Sequence, residues 1–397
     1  MSDFRSEAQD LFEYTQGIRR DLHRHPELGF KEVRTAGIVA RELKELGMEV
    51  ATGIAKTGVV ALLEGSQPGP VLLLRFDMDA LPVTEQTGAP YASETPGVMH
   101  ACGHDGHTAI GLTTARLLHA HRDELAGSVK FVFQPAEEGT CGEEVGGNEM
   151  MIREGVLEDP KPDMALALHL WNERPLGWVN VAAGPVMAGA EEFKVTVTGK
   201  GGHGAIPNQS IDPVLAAAQI VSALQSIVSR NVPPLQAAVI SVTMIHGGDA
   251  FNVIPPEVQM EGTIRTFELS VRDMLLRRFD EVVHGVAEAM GCTADVTVKR
   301  LTPAAINAQE VAQHVQQTVP RLLPDAHLDT SGYLTMGAED MAFMLEKIPG
   351  CYFFVGSSDS TRGLDHGHHH PKFDFDELAL PRAAALMAGA AAGLLEP

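Results

Sequence analysis

The sequence predicts an α/β protein: a mostly parallel sheet flanked by helices, interrupted by an inserted β-α-β-β-α-β sandwich. Two observations predict it. Short, nearly continuous apolar runs alternate with helical stretches in the first and last parts of the chain, as strands covered on both faces do. Between them the pattern switches to apolar–polar alternation, the mark of strands with one wet face. A chain of 397 residues also exceeds one ordinary core, so two domains are expected.

In the first part, VVALLE (59–64), VLLLRF (71–76), VKFVF (129–133) and MALALHL (164–170) read as buried parallel strands, joined late by CYFFVG (351–356). Helices are predicted from Thr108 to His121 and from Ala338 to Lys347. FKVTVTG (193–199) opens the alternating segment. Asp212-Pro213 then starts a helix reaching about Arg230, with Asp as cap and Pro at the first helical position. AAVISVTMI (237–245) and VQMEGTIRTF (258–267) are strands. Ser270, with Asp273 three residues on, caps a helix that stops at Gly291, and TADVTVK (293–299) closes the segment. This is the split βαβ order. The expected boundaries are 1–184 and 299–397 for the first domain and 185–298 for the insert.

Composition narrows the function. With 52 acidic against 30 basic residues the net charge is −22, which repels nucleic acid and anionic membrane surfaces. The N-terminus MSDFRSEAQDLFEY lacks the layout of a secretion signal. The most apolar run, AAALMAGAAAGLL, is shorter than the ~20 residues that span a bilayer. The four cysteines (Cys102, Cys141, Cys292, Cys351) are scattered, without a CxxC pair. A cytoplasmic location with reduced thiols is expected.

The chemistry concentrates after strands. RFDMDALP follows one apolar run, QPAEEG another, and His169 with Trp171 ends a third. Ligand sites of open α/β sheets lie beyond the carboxyl ends of strands, so these clusters can converge. HACGHDGH (100–107) lies in the loop predicted to lead into the helix at Thr108. Cys102 and His104 are two apart there, so on an extended loop they point the same way. Adjacent Glu137 and Glu138 point apart, leaving one for a metal and one for substrate. With His169 and the late HGHHHPKFDF (366–375), thiolate, imidazole and carboxylate donors are all present. That mixture suits zinc, cobalt, nickel or manganese better than magnesium or calcium. Taken alone, HACGHDGH suits a metal site or a redox thiol equally.

At these residues the sequence resembles the M20 metallopeptidase family, in its amidohydrolase branch of hippurate hydrolases, N-acyl-amino-acid amidohydrolases and plant auxin-conjugate hydrolases. The ordered motifs run almost end to end: RDLHRHPELGFKE, DMDALP, MHACGHDGHTA, FQPAEEG, LHLW, GKGGHGAIPNQSIDP, NVIP, EGTIRTF and HHPKFDF. The resemblance implies a zinc-peptidase-like catalytic domain holding two divalent metal ions per subunit. It also implies an inserted lid that mediates dimer or tetramer formation, and a small N-acyl amino acid as substrate. It makes Cys102, His104, Glu138, His169 and His369 metal ligands and Glu137 the general base. His203 becomes a lid histidine able to reach a partner subunit's site, and Asp79 orients a site group. His369 stands two residues before Pro371, with His368 and His370 as rivals. Asn252 and Arg265, both in the insert, are expected to bind the substrate carboxylate, Arg through its planar fork. The loop TCGEEVGGNEMM and the segment GAEDMAF depart from the family's usual pattern.

Overall fold

A computed structural model describes residues 3–396. The chain divides into two compact units, one formed by residues up to Val186, Ile306–Tyr333 and those from Asp340 onward, the other by Met187–Ala305 and Leu334–Glu339.

The first unit is built on an eight-stranded sheet. Across it lie Glu49–Ile54, Gly58–Glu64, Ala126–Gln134, Gln67–Asp77, Met164–Pro175, Gly350–Ser358, Trp178–Asn180 and His327–Asp329. Its four central strands, from Ala126–Gln134 to Gly350–Ser358, pair in parallel. Their inner stretches, 72–77, 129–134, 165–172 and 350–357, are buried without a break, which is why they read as continuous apolar runs. One strand departs from expectation. Gly58–Glu64 pairs antiparallel with Ala126–Gln134, because only two residues separate it from Gln67 and so short a link reverses the chain.

Helices cover the sheet. His104–Ala120 packs its buried Ile110, Leu117 and Leu118 into the core. Ala379–Leu394, the AAALMAGAAAGLL segment, is buried nearly all round. It is a core helix, and no described helix is long and apolar enough to cross a membrane. Three N-terminal helices, Phe4–Asp10, Phe12–Arg24 and Val33–Glu45, were not expected from the pattern. The middle one buries Thr15, Arg19 and His23 beside Leu22, so no apolar stripe marks its inner face. The helix expected over 338–347 shrinks to Ala342–Leu345.

In the second unit the antiparallel sheet runs Ala238–His246, Glu257–Thr266, Gly189–Thr198, Thr293–Thr302. Two helices, Pro213–Arg230 and Leu269–Ala289, bury Ile220, Leu224, Leu275 and Phe279 against Phe193, Val195 and Ile264. Asp212 caps the first by accepting from the Val214 and Leu215 N–H groups. The second starts at Leu269 with Glu268 as its N-cap and no side-chain cap bond, so the cap expected of Ser270 is not made. Ser270 lies inside the first turn, where its hydroxyl has passed the position that meets free N–H groups.

Candidate metal centre

HACGHDGH is half helix. Gly103 takes a left-handed conformation (φ 96°) and the helix begins at His104, four residues earlier than the apolar pattern indicates. The reason is that His104, Asp105 and His107 are buried polar residues with fixed partners, so the first turn carries no apolar signature.

The donors expected from four separate motifs meet at the carboxyl ends of the central strands. Cys102, His104 and His169 place donor atoms within 4.8 Å of one another, and so do Cys102, Glu138 and His369. Cys102 belongs to both groups. Its Sγ lies 3.5 Å from His169 Nε2. His369 Nε2 is 3.2 Å from Glu138 Oε1. His104, Glu137 and Glu138 form a further group, with His104 Nε2 3.9 Å from an oxygen of each glutamate. His369 adopts a left-handed backbone (φ 65°) and donates its N–H to Ala101 O at 2.7 Å, tying the late histidine cluster to the residue before Cys102. The rivals are engaged elsewhere: His368 Nε2 is 3.0 Å from Leu170 O, and His370 stacks on His366.

Around these donors stands a ring of carboxylates. Asp79 Oδ1 is 3.1 Å from His104 Nδ1, and its Oδ2 accepts the Glu138 N–H at 3.1 Å. It thus orients two donors with its two oxygens. Asp77 is held between Arg75 (2.6 Å) and His107 Nδ1 (2.6 Å). Against the opposing push of burial, Asp77, Asp79 and Glu138 raise the His104 imidazole to about 10. Burial, then Glu138 and Glu137, push the Cys102 thiol well above its ordinary value. A buried thiol among acids loses its proton only to strong positive charge. Meanwhile His104 Nε2 is buried with no hydrogen-bond partner. The orphaned nitrogen, the shared thiol and the excess of acid together fit divalent cations of borderline softness.

The other expected residues lie in the second unit. The two-residue strands Gly202–His203 and Val253–Ile254 form a ribbon that brings His203 beside Asn252, whose carbonyl accepts the Gly204 N–H at 2.8 Å. Phe251 next to them is fully exposed. Arg265 lies elsewhere. It pairs with Ala190 at the far end of the sheet, eight residues along its strand from Glu257, or roughly 26 Å. Asn252 and Arg265 therefore do not meet within one copy of this unit. Burial lowers the Arg265 guanidinium, and Glu191 opposes that.

The motif reading gave Glu32 and Asp77 no role and His107 at most a supporting or structural one; in the structure Glu32 accepts the Ala136 N–H, and Asp77 and His107 place donor atoms within 4.8 Å of each other and of His104. Their signal lay in RDLHRHPELGFKE, RFDMDALP and HDGH, where nothing separates a supporting side chain from a ligand until its partners are seen.

The model of peptidase family M20/M25/M40 matches residues 73–392. An N-acetylcysteine deacetylase of Bacillus subtilis (strain 168) is 41% identical over 381 residues, covering 96% of each chain. An IAA-amino acid hydrolase of Arabidopsis thaliana is 38% identical over 97% of this chain and 87% of its own. Among solved structures, the YXEP protein of Bacillus subtilis, described as a dinuclear metal binding peptidase from the M20 family, superposes with a TM-score of 0.85. It is 36% identical and covers 98% of this chain and 99% of that one. The chain belongs to peptidase family M20/M25/M40 and is a metal-dependent amide-bond hydrolase.

Proposed function

We propose that the protein hydrolyses N-acyl amino acids to a carboxylic acid and a free amino acid in the cytoplasm. The overlap of donor groups through Cys102, His104 and Glu138 is the observation that carries this reading, because overlapping groups of thiol, imidazole and carboxylate suit two adjacent ions. In it, Cys102, His104, His169, Glu138 and His369 hold two divalent metals, zinc, cobalt, manganese or nickel. Such a pair, when bound, acidifies water and polarises the scissile carbonyl.

Glu137 shares a donor group with His104 and Glu138 and is partly exposed. As general base it takes the proton of the attacking water and passes it to the departing nitrogen. His203, exposed on its ribbon beside Asn252, donates to the developing oxyanion in a partner subunit's site. An assembly is supported by the second unit's surface. Ala238–His246 is an edge strand, and Met244, Ile245, Phe251 and Val253 are exposed near one end of it. A homodimer or homotetramer through this unit is the reading it favours. With Arg265 and Asn252 at opposite ends of the sheet, one chain supplies the substrate's carboxylate with Arg265 and its partner supplies Asn252.

Purified protein tested with hippurate, acetyl amino acids and dipeptides, with and without added cobalt or zinc, checks the reading. Metal-stimulated release of amino acid from the acyl substrates supports it. Cleavage confined to dipeptides would replace it with a small-peptide hydrolase.

A further inference from the structure

Both backbone polar groups of Leu170, on either side of its Cα, are held by imidazoles, three in all. The Leu170 N–H donates to His107 Nε2 at 2.9 Å. The Leu170 carbonyl faces His169 Nδ1 at 2.6 Å and His368 Nε2 at 3.0 Å. The ring of His169 stands edge-on to both others, with centroids 4.6 Å from His107 and 5.0 Å from His368. We propose that His107 and His368 are positioning residues that clamp the Leu170 backbone on both sides of its Cα and so fix both the tautomer and the aim of His169.

The chemistry of a peptide leaves little freedom. An amide N–H only donates, so His107 Nε2 is bare and its proton sits on Nδ1, facing Asp77 Oδ1 at 2.6 Å. A carbonyl only accepts, so His169 carries its proton on Nδ1 and His368 on Nε2. His169 Nε2 is therefore bare, and it is the nitrogen that faces Cys102 Sγ. With both lone-pair directions of Leu170 O occupied and its N–H held by a histidine anchored on Asp77, the strand end has no slack to turn that nitrogen away. Asp77 is itself pinned by Arg75. His107, one of two HACGHDGH histidines not assigned as ligands, and His368, a rival ligand of HGHHHP, thus do one job from opposite sides.

This inference rests on the proposed reading of His169 as a ligand, and the test separates the two. Nitrogen-15 NMR of histidine-labelled, zinc-loaded protein reads each tautomer directly. The expected result is a protonated Nδ1 on His169 and His107 and a protonated Nε2 on His368. A proton on His169 Nε2 overturns the clamp. Cobalt titration of apo-protein, followed by absorbance, gives the second readout. His368→Phe is expected to weaken one of two cobalt ions about 10- to 100-fold while sparing the other. His368→Gln, which keeps a donor, should restore most of it. His107→Phe should act on the same ion. Two cobalt ions bound with wild-type affinity by His368→Phe overturn the proposal even where His107→Phe does not fold. Wild-type protein that binds no cobalt sinks the ligand reading instead, while the tautomers in metal-free protein still decide the clamp.

Discussion

Glu32 Oε1 accepts the Ala136 N–H at 2.9 Å, one residue ahead of Glu137. Ala136 has a left-handed backbone (φ 47°), a conformation a β-carbon disfavours by roughly 1–2 kcal/mol. Gly29, three residues before Glu32, packs so closely that a β-carbon there would lie 2.9 Å from that of Ala136. The ELGFKE segment is thus a bracket on the loop that carries the proposed base. Glu32→Ala is expected to lower kcat 10-fold or more with little change in KM or metal content, whereas Glu32→Gln, which keeps an acceptor, retains most turnover. Steady-state kinetics with metal analysis checks both.

Burial and then the neighbouring Asp79 raise Glu32 from 4.5 to about 7, against the Thr57 hydroxyl and the Ala136 N–H. The folded protein holds this proton more tightly than the unfolded chain does. Stability therefore falls as pH rises from about 4.5 to about 7 and levels off above. Glu32→Gln removes that slope, recovering on the order of 1–3 kcal/mol at pH 8 relative to pH 4.5. Urea unfolding of both proteins across this range measures it, and parallel slopes would count against the raised carboxyl.

Cys102 is common to two donor groups, whereas His169 and His369 each belong to one. Cys102→Ala should consequently lose more bound metal than either single histidine variant. Elemental analysis after equal loading is the measurement. Equal losses in all three would mean that the thiol does not bridge.

Glu137→Gln is expected to abolish turnover and keep nearly all the metal, since the loss falls on proton transfer. A combined loss of metal would make Glu137 a ligand. Mixing this inactive variant with inactive His203→Ala should restore part of the activity if the histidine serves a partner's site. No recovery despite subunit exchange would place His203 in its own chain's chemistry or none.

Arg19 is fully buried and meets three carboxylates: Asp105 at 2.8 Å, Asp374 at 2.8 Å and Glu377 at 3.2 Å. It joins the second helix to the HACGHDGH helix and to the loop before the last helix. Arg19→Met leaves these acids without their shared cation and should destabilise the fold by about 3–5 kcal/mol. Thermal unfolding at neutral pH reads the loss, expected to shrink in acid as the carboxyls protonate.

Where burial follows apolarity, the fold was legible in the residues. The central strands and the Pro213–Arg230 helix announce themselves by runs, period and cap. Where buried faces are polar, they did not: the helix carrying Arg19 and His23 and the first turn at His104 bury charge against charge, which no periodicity records. Strand direction also escaped for Gly58–Glu64, since an apolar run looks the same running either way.

The sequence by itself determined the donor chemistry. The candidate donors Cys102, His104, Glu138, His169 and His369, with Glu137 beside them, are set by residue type and motif, and the donors' types fix which metals suit them. Tertiary structure alone decided the division of labour among neighbours. It paired His369 with Glu138, turned His368 and His107 onto the two backbone groups of Leu170, set Glu32 behind the proposed base, and separated Arg265 from Asn252. The reason is physical. Ligand, support and bystander histidines share one side chain, and only the atom that faces each nitrogen tells them apart.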